Sequence, residues 1–380
     1  MFAGENRRSN GRMDLAPNSD LRIAVLPGDG IGLEIMDACR AILDALEGRV
    51  GGYTLCYTPY RAGAALFSET GTDITDEDFD ALGHADAILL GAIGDPTVRH
   101  PNGTEISPHL RIRTAFKLCT GLRPAKAYPN APRRLRDERA ADIDLVVVRE
   151  STEGLFHTAQ IGEIIDDLEA TEIMKITRPV CEQLFDETFA LARRRKAQGG
   201  KGKVTCVDKA NVFKAMAFFR KVFDERAARN PDIEVGYNYV DAQALDLIRR
   251  PWEFDVLVME NMFGDILSDL TAALVGGMGM APCGEIGRDH AMFQPAHGSA
   301  PDIAGQDKAN PTAMILSAAM MLEWLGERHD IDALKTAAKV LEAAVSEGFA
   351  SGRVNPKEFG GPHGTKETAR AVIDIIGETT

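Results

Sequence analysis

The sequence predicts an α/β fold with largely parallel sheets, divided into two domains. Strand-like apolar runs recur along the chain, and helical patterns of ten or more residues separate most of them, an alternation that is typical of parallel sheets covered by helices. The run EFDVLVME at 253–260 is nearly all apolar, as expected for a strand buried on both faces. The 380 residues exceed one ordinary hydrophobic core, so two domains or one two-lobed enzyme are expected.

The predicted elements follow one another in a regular order. The first strand, at 21–27, leads into a glycine-rich turn and then into a helix from about 31 to 47 with apolar residues on one face. Residues 157–176 interrupt the alternation and predict an arm or a hairpin, and beyond residue 276 the chain is loop-rich before it continues as helices to its end. The remaining predicted strands lie at 53–60, 85–93, 143–150, 203–210, 233–242 and 254–261.

The composition narrows the classes of partner. The formal net charge of −14 disfavours nucleic acid and repels anionic substrates at long range, so an anion site here needs clustered arginines. No apolar run approaches the ~20 residues needed to cross a bilayer, so no membrane partner is expected. Residues 1–20 are polar, lack the apolar core of a signal peptide, and are interpreted as a disordered lead-in. The six cysteines form no CxxC pair, which favours free thiols in a reducing compartment and a cytoplasmic location.

The segment ENMFGDILSD at 260–269 carries two aspartates, Asp265 and Asp269, four residues apart. On a helix this spacing places both carboxylates on one face, although like charges there repel. The segment follows a predicted buried strand, and open α/β sheets bind their ligands at that end of their strands. Two hard oxygen ligands indicate Mg²⁺ or Mn²⁺ rather than zinc. The alternative is that Asp265 caps the helix and Asp269 is simply solvated.

Two further strand ends carry polar residues. Lys209 follows the strand at 203–210, in VDKAN, and Asp241 follows the next, in VDAQAL. Each alone is also consistent with a helix cap or a salt bridge. Together with Asp265 and Asp269 they make Asp241 a candidate third metal ligand and Lys209 a candidate base, whose pKa a metal and arginines would lower.

Arginines are concentrated in two segments. Residues 108–124 carry Arg111, Arg113 and Arg123, and Arg149 ends the strand DLVVVRE. Surface arginines are usually solvated, but a guanidinium after a buried strand requires a partner. Planar guanidinium groups bind carboxylates through two hydrogen bonds, so arginines that converge on one cleft predict a substrate with more than one carboxylate.

The glycine-rich turn LPGDGIGLE at 26–34 does not match the GxGxxG fingerprint of a Rossmann fold, because Leu33 stands where that fingerprint requires glycine. A tight turn is predicted, and a phosphate-binding role is unproven. The segment HGSAPDIAGQDKANP at 297–311 contains too many Gly, Pro and Ala residues for a helix or strand. It predicts an ordered loop whose His297, Asp302 and Asn310 read a polar ligand.

Taken together, the motifs PGDGIG, LRP, VRESTEG, DKAN, FGDILSD and HGSAPDIAG resemble those of the β-decarboxylating dehydrogenases, the isocitrate/isopropylmalate dehydrogenase family, over roughly residues 21 to 375. The resemblance implies an isopropylmalate dehydrogenase-like two-domain fold. Its first, cofactor-binding domain would comprise 21–118 and 276–380, and its second domain, with substrate, metal and dimer arm, would comprise 119–275.

The resemblance also implies roles for individual residues. Arg113, Arg123 and Arg149 would bind the malate moiety, and Asp241, Asp265 and Asp269 would bind Mg²⁺ or Mn²⁺. In a homodimer with shared active sites, Lys209 and Asp241 would come from the partner subunit, and the arm near 157–176 would join the subunits. The residues implied to bind NAD are Ile31, Asn211, His297, Gly298, Ser299, Ala300, Pro301, Asp302, Ile303 and Asn310.

The implied reaction is oxidation and decarboxylation of a 3-substituted (2R)-malate, a di- or tricarboxylate of the isocitrate or 3-isopropylmalate type. The metal chelates the 2-hydroxyl and the C1 carboxylate, and Lys209 takes the hydroxyl proton while hydride passes to NAD⁺. The β-keto acid then loses CO₂. The charge of Asp302 would repel the 2′-phosphate of NADP⁺, and relatives that use NADP⁺ carry Lys-Tyr in place of Asp302-Ile303, so NAD⁺ is predicted.

Two departures from the family pattern bear on catalysis and substrate. Phe156 replaces the family tyrosine that is thought to protonate the enolate. His157, on an extended strand, would point to the opposite face, so water is the predicted proton donor. Ser107 precedes Arg113 by six residues, as in isocitrate-type enzymes. His109 stands where isocitrate-type enzymes have Asn and isopropylmalate enzymes have Leu, and Ile106 replaces the acidic residue of the isopropylmalate type. Because Ser107 and His109 donate hydrogen bonds, a polar or carboxylate group at C3 is favoured over isopropyl, unless His109 faces away from the site.

Two alternatives stay open. Besides a substrate of the isocitrate or 3-isopropylmalate type, they are a tartrate/D-malate-type dehydrogenase and a weakly active regulatory subunit of the same family. Phe156 slightly favours the second, whereas the intact lysine, aspartates and arginines favour an active enzyme.

Overall fold

The computed structural model describes residues 20–158 and 162–378. The predicted lead-in at 1–20 lies outside these ranges, apart from Asp20, which begins the first strand. The strands are β1 Asp20–Gly28, β2 Thr54–Pro59, β3 Ala87–Ala92, β4 Thr120–Lys126, β5 Asp144–Glu150, β6 Glu163–Ile165, β7 Glu169–Thr171, β8 Lys203–Asp208, β9 Glu234–Tyr239, β10 Val256–Met259, β11 Pro282–Ile286 and β12 Ala291–Pro295. The α-helices are α1 Gly32–Val50, α2 Ala64–Thr70, α3 Asp76–Leu82, α4 Pro108–Ala115, α5 Arg178–Ala197, α6 Lys214–Ala227, α7 Val240–Arg249, α8 Asn261–Leu274, α9 Thr312–His329, α10 Asp332–Ala350 and α11 Thr365–Glu378.

Ten strands form one twisted sheet in the order β2-β1-β3-β12-β11-β4-β5-β10-β8-β9. The pairs on either side of its centre are parallel, and the three central pairs, β12–β11, β11–β4 and β4–β5, are antiparallel. Strands β3 and β10 are buried along their whole length, because helices cover both faces of the sheet. The predicted α/β fold with a largely parallel sheet is therefore confirmed.

The sheet has two halves that come from different parts of the chain. Strands between residues 20 and 92 and between 282 and 295 form one half, and strands between 120 and 259 form the other. Helices α1, α9, α10 and α11 pack together against the first half, and α5, α7 and α8 pack against the second. The predicted domain boundaries at 118/119 and 275/276 fall between these two groups of strands. The division into two domains remains a prediction.

The sequence analysis did not predict strands β4, β11 and β12. Two of them, β4 and β11, carry residues that are unusual in a buried strand. Strand β4 (TGLRPAK) contains arginine and proline, and β11 (PCGEI) contains proline, glycine and glutamate. Strand β12 lies in a region that was expected to be loop before helix. The strand predicted at 233–242 ends at Tyr239, where α7 begins. Residues 163–171 form the two-stranded antiparallel hairpin β6–β7, which agrees with the predicted arm or hairpin.

The glycine-rich turn after β1 packs closely against neighbouring loops. Gly28 and Gly30 have φ values of 78° and 53°, and a Cβ on Gly30 would lie 2.2 Å from the carbonyl oxygen of Ser299. Between them, buried Asp29 accepts hydrogen bonds from the backbone amides of Ala64, Ala65 and Gly94. The turn therefore ties β1 to the loop after β12, because only glycine allows so close an approach.

Among the described residues, no helix is both long and apolar enough to cross a membrane.

Candidate active site

Arg149 lies at the C-terminal end of β5, and α8 holds it in place. Its Nε donates a hydrogen bond to Oδ1 of Asn261 (2.9 Å), and its Nη1 donates to the carboxylate of Asp265. A Cβ on Gly264 would lie 2.6 Å from the Cβ of Arg149, so the glycine lets α8 pack directly on the arginine. The motif FGD thus serves to bring a carboxylate and a guanidinium together.

Arg113 and Arg123 meet at one buried carboxylate, that of Glu285. Nη2 of Arg113 lies 2.9 Å from Oε1 of Glu285, and Nη2 of Arg123 lies 2.8 Å from the same oxygen. The sheet register aligns Glu285, Gly121 and Arg149 across three adjacent strands, so their side chains share one face. The three predicted substrate arginines therefore form one cluster, here called the arginine cluster.

Two other polar residues named in the sequence analysis, Arg111 and Ser107, belong to α4 or directly precede it. Arg111 points away, because its guanidinium is paired with Asp76 and lies over the ring of Phe79. Ser107 precedes the first residue of α4 and is partly buried, and its side chain makes no capping hydrogen bond. The arginine that α4 supplies to the cluster is Arg113, near the C-terminal end of the helix.

The electrostatic field in the cluster is strong because its charges are buried. Burial and the nearby charges of Arg113 and Arg123 lower the pKa of Arg149 to about 10. Burial alone would raise the pKa of Glu285, but the three guanidinium groups hold it below its usual value, so this carboxyl is ionised. Each arginine thus depends on a carboxylate to offset its neighbours.

Several buried polar atoms of the cluster have no hydrogen-bond partner among the described protein atoms. They are Nε of Arg113, Nε of Arg123 and Nδ1 of His109. Buried polar groups are normally paired, and an unpaired group calls for an explanation such as a ligand or water. A polar ligand at the cluster would supply partners for these atoms.

His109 lies on α4 beside the arginines and is partly buried. Burial and the charge of Arg113 lower its pKa from 6.5 to about 3, so the ring is neutral at neutral pH. With Nδ1 enclosed and unpaired, His109 faces the cluster rather than bulk solvent. Of the two orientations left open by the sequence, the structure shows the one toward the arginines.

Phe156 also contacts the cluster, since the guanidinium carbon of Arg149 lies 5.0 Å from the centre of its ring. The expectation that residues 156 and 157 continue an extended strand is wrong, because Phe156–Thr158 is a turn of 3₁₀ helix. His157 is exposed, and its Nε2 lies 3.4 Å from Nζ of Lys175. A helical turn does not alternate side chains between faces, so the strand argument no longer applies to His157.

Asp265 and Asp269 lie on one face of α8, as their spacing predicts. The helix is capped by Glu260, whose carboxylate accepts hydrogen bonds from the backbone amides of Met262 and Phe263, so Asp265 is not the cap. Desolvation and the nearby charge of Asp265 raise the pKa of Asp269. This is a carboxylate pair that a cation would stabilise, and carboxylate oxygens are the ligands that Mg²⁺ and Mn²⁺ prefer.

Lys209 and Asp241 pair with each other at the ends of β8 and β9. Nζ of Lys209 lies 2.6 Å from Oδ1 of Asp241, and this hydrogen bond lowers the pKa of the aspartate. Across residues 20–158 and 162–378, no group of three His, Cys, Asp or Glu side chains is placed to hold a metal. A single subunit therefore does not bring Asp241 together with Asp265 and Asp269.

The residues predicted to bind the cofactor fall into two places. Loop 297–310 is irregular and ordered, as predicted, with Asp302 exposed and Ile303 packed partly against the core. Within it, Ser299 donates a hydrogen bond to the carbonyl oxygen of Gly94, and Ile31 donates its amide to the carbonyl oxygen of Ser299 (2.8 Å). Asn211 is exposed in the turn after β8, in the other half of the sheet.

Two residues of this loop are already engaged within the protein. Asn310 is buried, accepts hydrogen bonds from the amide and hydroxyl of Thr312, and donates to Glu358. Nδ1 of His297 lies 2.8 Å from the carbonyl oxygen of Gly298. The exposed side chain with free hydrogen-bonding capacity suited to a ribose is therefore that of Asp302.

Glu285 was missed because it lies in a strand that the sequence did not predict. The available signal was a charged residue inside the short segment APCGEIG, between runs of apolar residues. A buried carboxylate requires a cation, and the arginines predicted to converge on a cleft were the cations available.

The chain matches the family model for isocitrate/isopropylmalate dehydrogenase over residues 22–375. It is 40% identical over 360 residues to a 3-isopropylmalate/3-methylmalate dehydrogenase of Methanocaldococcus jannaschii, which covers 94% of this chain and 99% of the relative. It is 44% identical over 314 residues to a 3-isopropylmalate dehydrogenase of Beutenbergia cavernae, which covers 80% of this chain and 87% of the relative.

A solved structure gives the same result for the fold. The crystal structure of isocitrate dehydrogenase from Methylococcus capsulatus superimposes with a TM-score of 0.80 at 36% sequence identity, covering 94% of this chain and 99% of that one.

Proposed function

This chain belongs to the isocitrate/isopropylmalate dehydrogenase family, and we propose that it catalyses the NAD-dependent and divalent-metal-dependent oxidation and decarboxylation of a 3-substituted (2R)-malate. The observation that carries this proposal is the arginine cluster beside Asp265. Three buried guanidinium groups next to a carboxylate pair suit a substrate that has more than one carboxylate and, beside one of them, a hydroxyl that a metal can chelate.

The arginines, the aspartates and Lys209 have different roles in the proposed reaction. Arg113, Arg123 and Arg149 bind and orient the two malate carboxylates, which fixes the position of C2. A divalent cation held by Asp265 and Asp269, with Asp241 as a third ligand, would lower the pKa of the substrate hydroxyl. Lys209 accepts the hydroxyl proton, directly or through water.

NAD⁺ accepts the hydride in this proposal, with its adenosine on loop 297–310. Asp302 is exposed and accepts hydrogen bonds from ribose hydroxyls, and partly buried Ile303 supplies apolar contact. The turn from Gly28 to Gly32 is pinned against the same loop, which keeps this side of the site rigid.

We also propose a homodimer in which each site is completed by the partner. The separation of Lys209 and Asp241 from Asp265 and Asp269 within one subunit supports this. So does a set of exposed apolar side chains on the hairpin, the β8–α6 turn, β9, α7 and α8, since apolar patches of this kind mark interfaces. These side chains are Ile164, Leu168, Val212, Phe213, Tyr237, Tyr239, Leu245, Ile248 and Ile266.

A polar group at C3 is supported by His109, whose enclosed Nδ1 would remain unpaired beside an alkyl group, at a cost of about 1–3 kcal/mol. This favours a substrate of the tartrate/D-malate or isocitrate type over 3-isopropylmalate. We further propose a cytoplasmic location, because all six cysteines are free thiols.

The test is steady-state NADH formation by the purified protein with Mn²⁺, NAD⁺ and a series of 3-substituted malates. The proposal expects turnover of at least one malate, loss of turnover with a chelator, and recovery when Mn²⁺ is added back. Absence of NADH with every malate, in a protein that still binds malates, would instead support a regulatory subunit.

A further inference from the structure

Glu285 joins two of the three arginines of the cluster. It is fully buried, and its Oε1 is shared between Nη2 of Arg113 and Nη2 of Arg123. The space for it depends on Gly121 on the adjacent strand, because a Cβ there would lie 2.9 Å from Oε2 of Glu285. The protein thus places an internal carboxylate on the guanidinium groups that, in the proposed function, bind the substrate.

A carboxylate in this position takes up hydrogen bonds that Arg113 and Arg123 would otherwise donate to a substrate. Each of the two arginines gives one terminal nitrogen to Glu285, and Nε of each remains enclosed and unpaired. Besides the two arginines, Glu285 is contacted by the thiol of Cys283, 3.5 Å from Oε1, and by the hydroxyl of Ser151, which helps to hold the pKa of the glutamate down. Glu285 therefore occupies part of the hydrogen-bonding capacity that Arg113 and Arg123 would otherwise offer to a substrate.

The charges of the cluster are balanced in the described residues. The three guanidinium groups oppose the carboxylates of Glu285, Asp265 and Asp269, and His109 is neutral. The pair formed by Lys209 and Asp241 is balanced in itself. Buried Glu260 places a further carboxylate near Arg149, so even with a divalent cation bound the site would carry at most two excess positive charges, enough for a substrate with two carboxylates.

We propose that Glu285 makes the site selective for substrate charge, favouring malates whose C3 substituent is uncharged over tricarboxylates. The inference rests on the proposed function and narrows it. A third carboxylate on the substrate would exceed the positive charge of the site and approach the carboxylate of Glu285. Combined with the enclosed nitrogen of His109, this points to a dicarboxylate with a small polar group at C3 or none.

The test compares kcat/KM for (2R)-malate and (2R)-3-methylmalate, which are dicarboxylates, with that for (2R,3S)-isocitrate, a tricarboxylate. For wild type, kcat/KM for the better of the two dicarboxylates is expected to exceed that for isocitrate by about tenfold or more. This is the size of effect expected when one additional negative charge meets another in a partly buried site. Glu285→Gln should shift this ratio toward isocitrate by about tenfold, mainly by lowering the KM for isocitrate. Loss of a merely structural contact would reduce kcat/KM for all three substrates alike.

Two variants serve as controls. Glu285→Asp keeps the charge and should keep the preference for dicarboxylates. Glu323→Gln removes the charge of a partly buried glutamate on α9, outside the arginine cluster, and should leave the ratio unchanged.

The outcomes separate this inference from the proposed function. If no malate yields NADH, the proposed function fails, and calorimetric binding of succinate against propane-1,2,3-tricarboxylate to wild type and Glu285→Gln still tests the selectivity. If Glu285→Gln does not fold, the test rests on the wild-type ratio of kcat/KM for the dicarboxylates to kcat/KM for isocitrate. A wild type that prefers isocitrate, or a folded Glu285→Gln with an unchanged ratio, overturns the inference.

Discussion

The guanidinium group of Arg149 lies over the ring of Phe156, with 5.0 Å between the guanidinium carbon and the ring centre. The side chain at position 156 is therefore at the arginine cluster, where the tyrosine of related sequences would be expected to act. A phenyl ring cannot donate a proton, so in the proposed reaction the enolate that follows loss of CO₂ must take its proton from another group or from water.

Restoring a hydroxyl at position 156 should accelerate the steps that follow hydride transfer. Phe156→Tyr is expected to raise the rate of CO₂ release more than that of NADH formation, because general acid catalysis typically contributes about 10²–10⁴-fold. Both products are to be measured in the same reaction. Phe79→Tyr is the matched control, since Phe79 also lies under an arginine, Arg111, but away from the site. If wild type releases CO₂ and NADH in step at rates that Phe156→Tyr does not improve, another group already supplies the proton.

Asp265→Asn tests the metal site. The change removes a hard ligand, so activation by Mn²⁺ should weaken sharply, and the Mn²⁺ concentration for half-maximal activity should rise. Some loss of stability is also expected, because the change removes the carboxylate partner of buried Arg149, so activation by Mn²⁺ is to be measured on protein shown to be folded. Asp76→Asn is the control, since Asp76 is also paired with an arginine but lies on α3. Metal dependence that is the same in wild type and Asp265→Asn would refute this assignment.

Asp302 should determine the choice of cofactor. Its exposed carboxylate repels a 2′-phosphate, so wild type is expected to have a higher kcat/KM with NAD⁺ than with NADP⁺. Asp302→Asn should narrow that difference, whereas Asp289→Asn, at another exposed aspartate of the chain, should not. A wild type that uses NADP⁺ as well as or better than NAD⁺ would show that the prediction is wrong.

His109 should make the protein less stable in mild acid. Its pKa falls from 6.5 to about 3 on folding, because of burial and Arg113, so the unfolded state takes up a proton that the folded state does not. The stability is therefore complete above pH 6.5 and is lost as the pH falls toward 3, by about 1 kcal/mol per pH unit just below 6.5.

The measurement is the free energy of unfolding in urea at pH 7.5 and 5.5 for wild type, His109→Gln and His84→Gln, the last at an exposed histidine. His109→Gln should lose about 1 kcal/mol less than the other two between these pH values. Equal losses in all three proteins would mean that His109 is protonated in the folded state.

Much of the fold was predictable because buried strands and amphipathic helices have distinct periodicities. The run at 253–260 and the helix after Gly32 illustrate this. The central strands β4 and β11 could not be predicted, because their arginine, proline and glutamate residues are typical of loops. Arg123 and Glu285 stand in these strands because their side chains pair with each other, a long-range contact that no local pattern encodes.

The same distinction applies to the site. Asp265, Asp269 and the arginines were predicted because each follows or precedes a strand end, where ligands bind. Glu285 and the contact between Phe156 and Arg149 depend on how distant segments meet, so they required the structure.

The most direct test of the central claim is the stoichiometry of CO₂ and NADH produced by the wild-type protein from one accepted malate labelled with ¹³C in the C3-attached carboxylate. With NAD⁺ and Mn²⁺ present, the account predicts one labelled CO₂ for each NADH at completion, and neither product when the metal is chelated. NADH without labelled CO₂, or both products in the presence of chelator, would contradict metal-dependent oxidative decarboxylation.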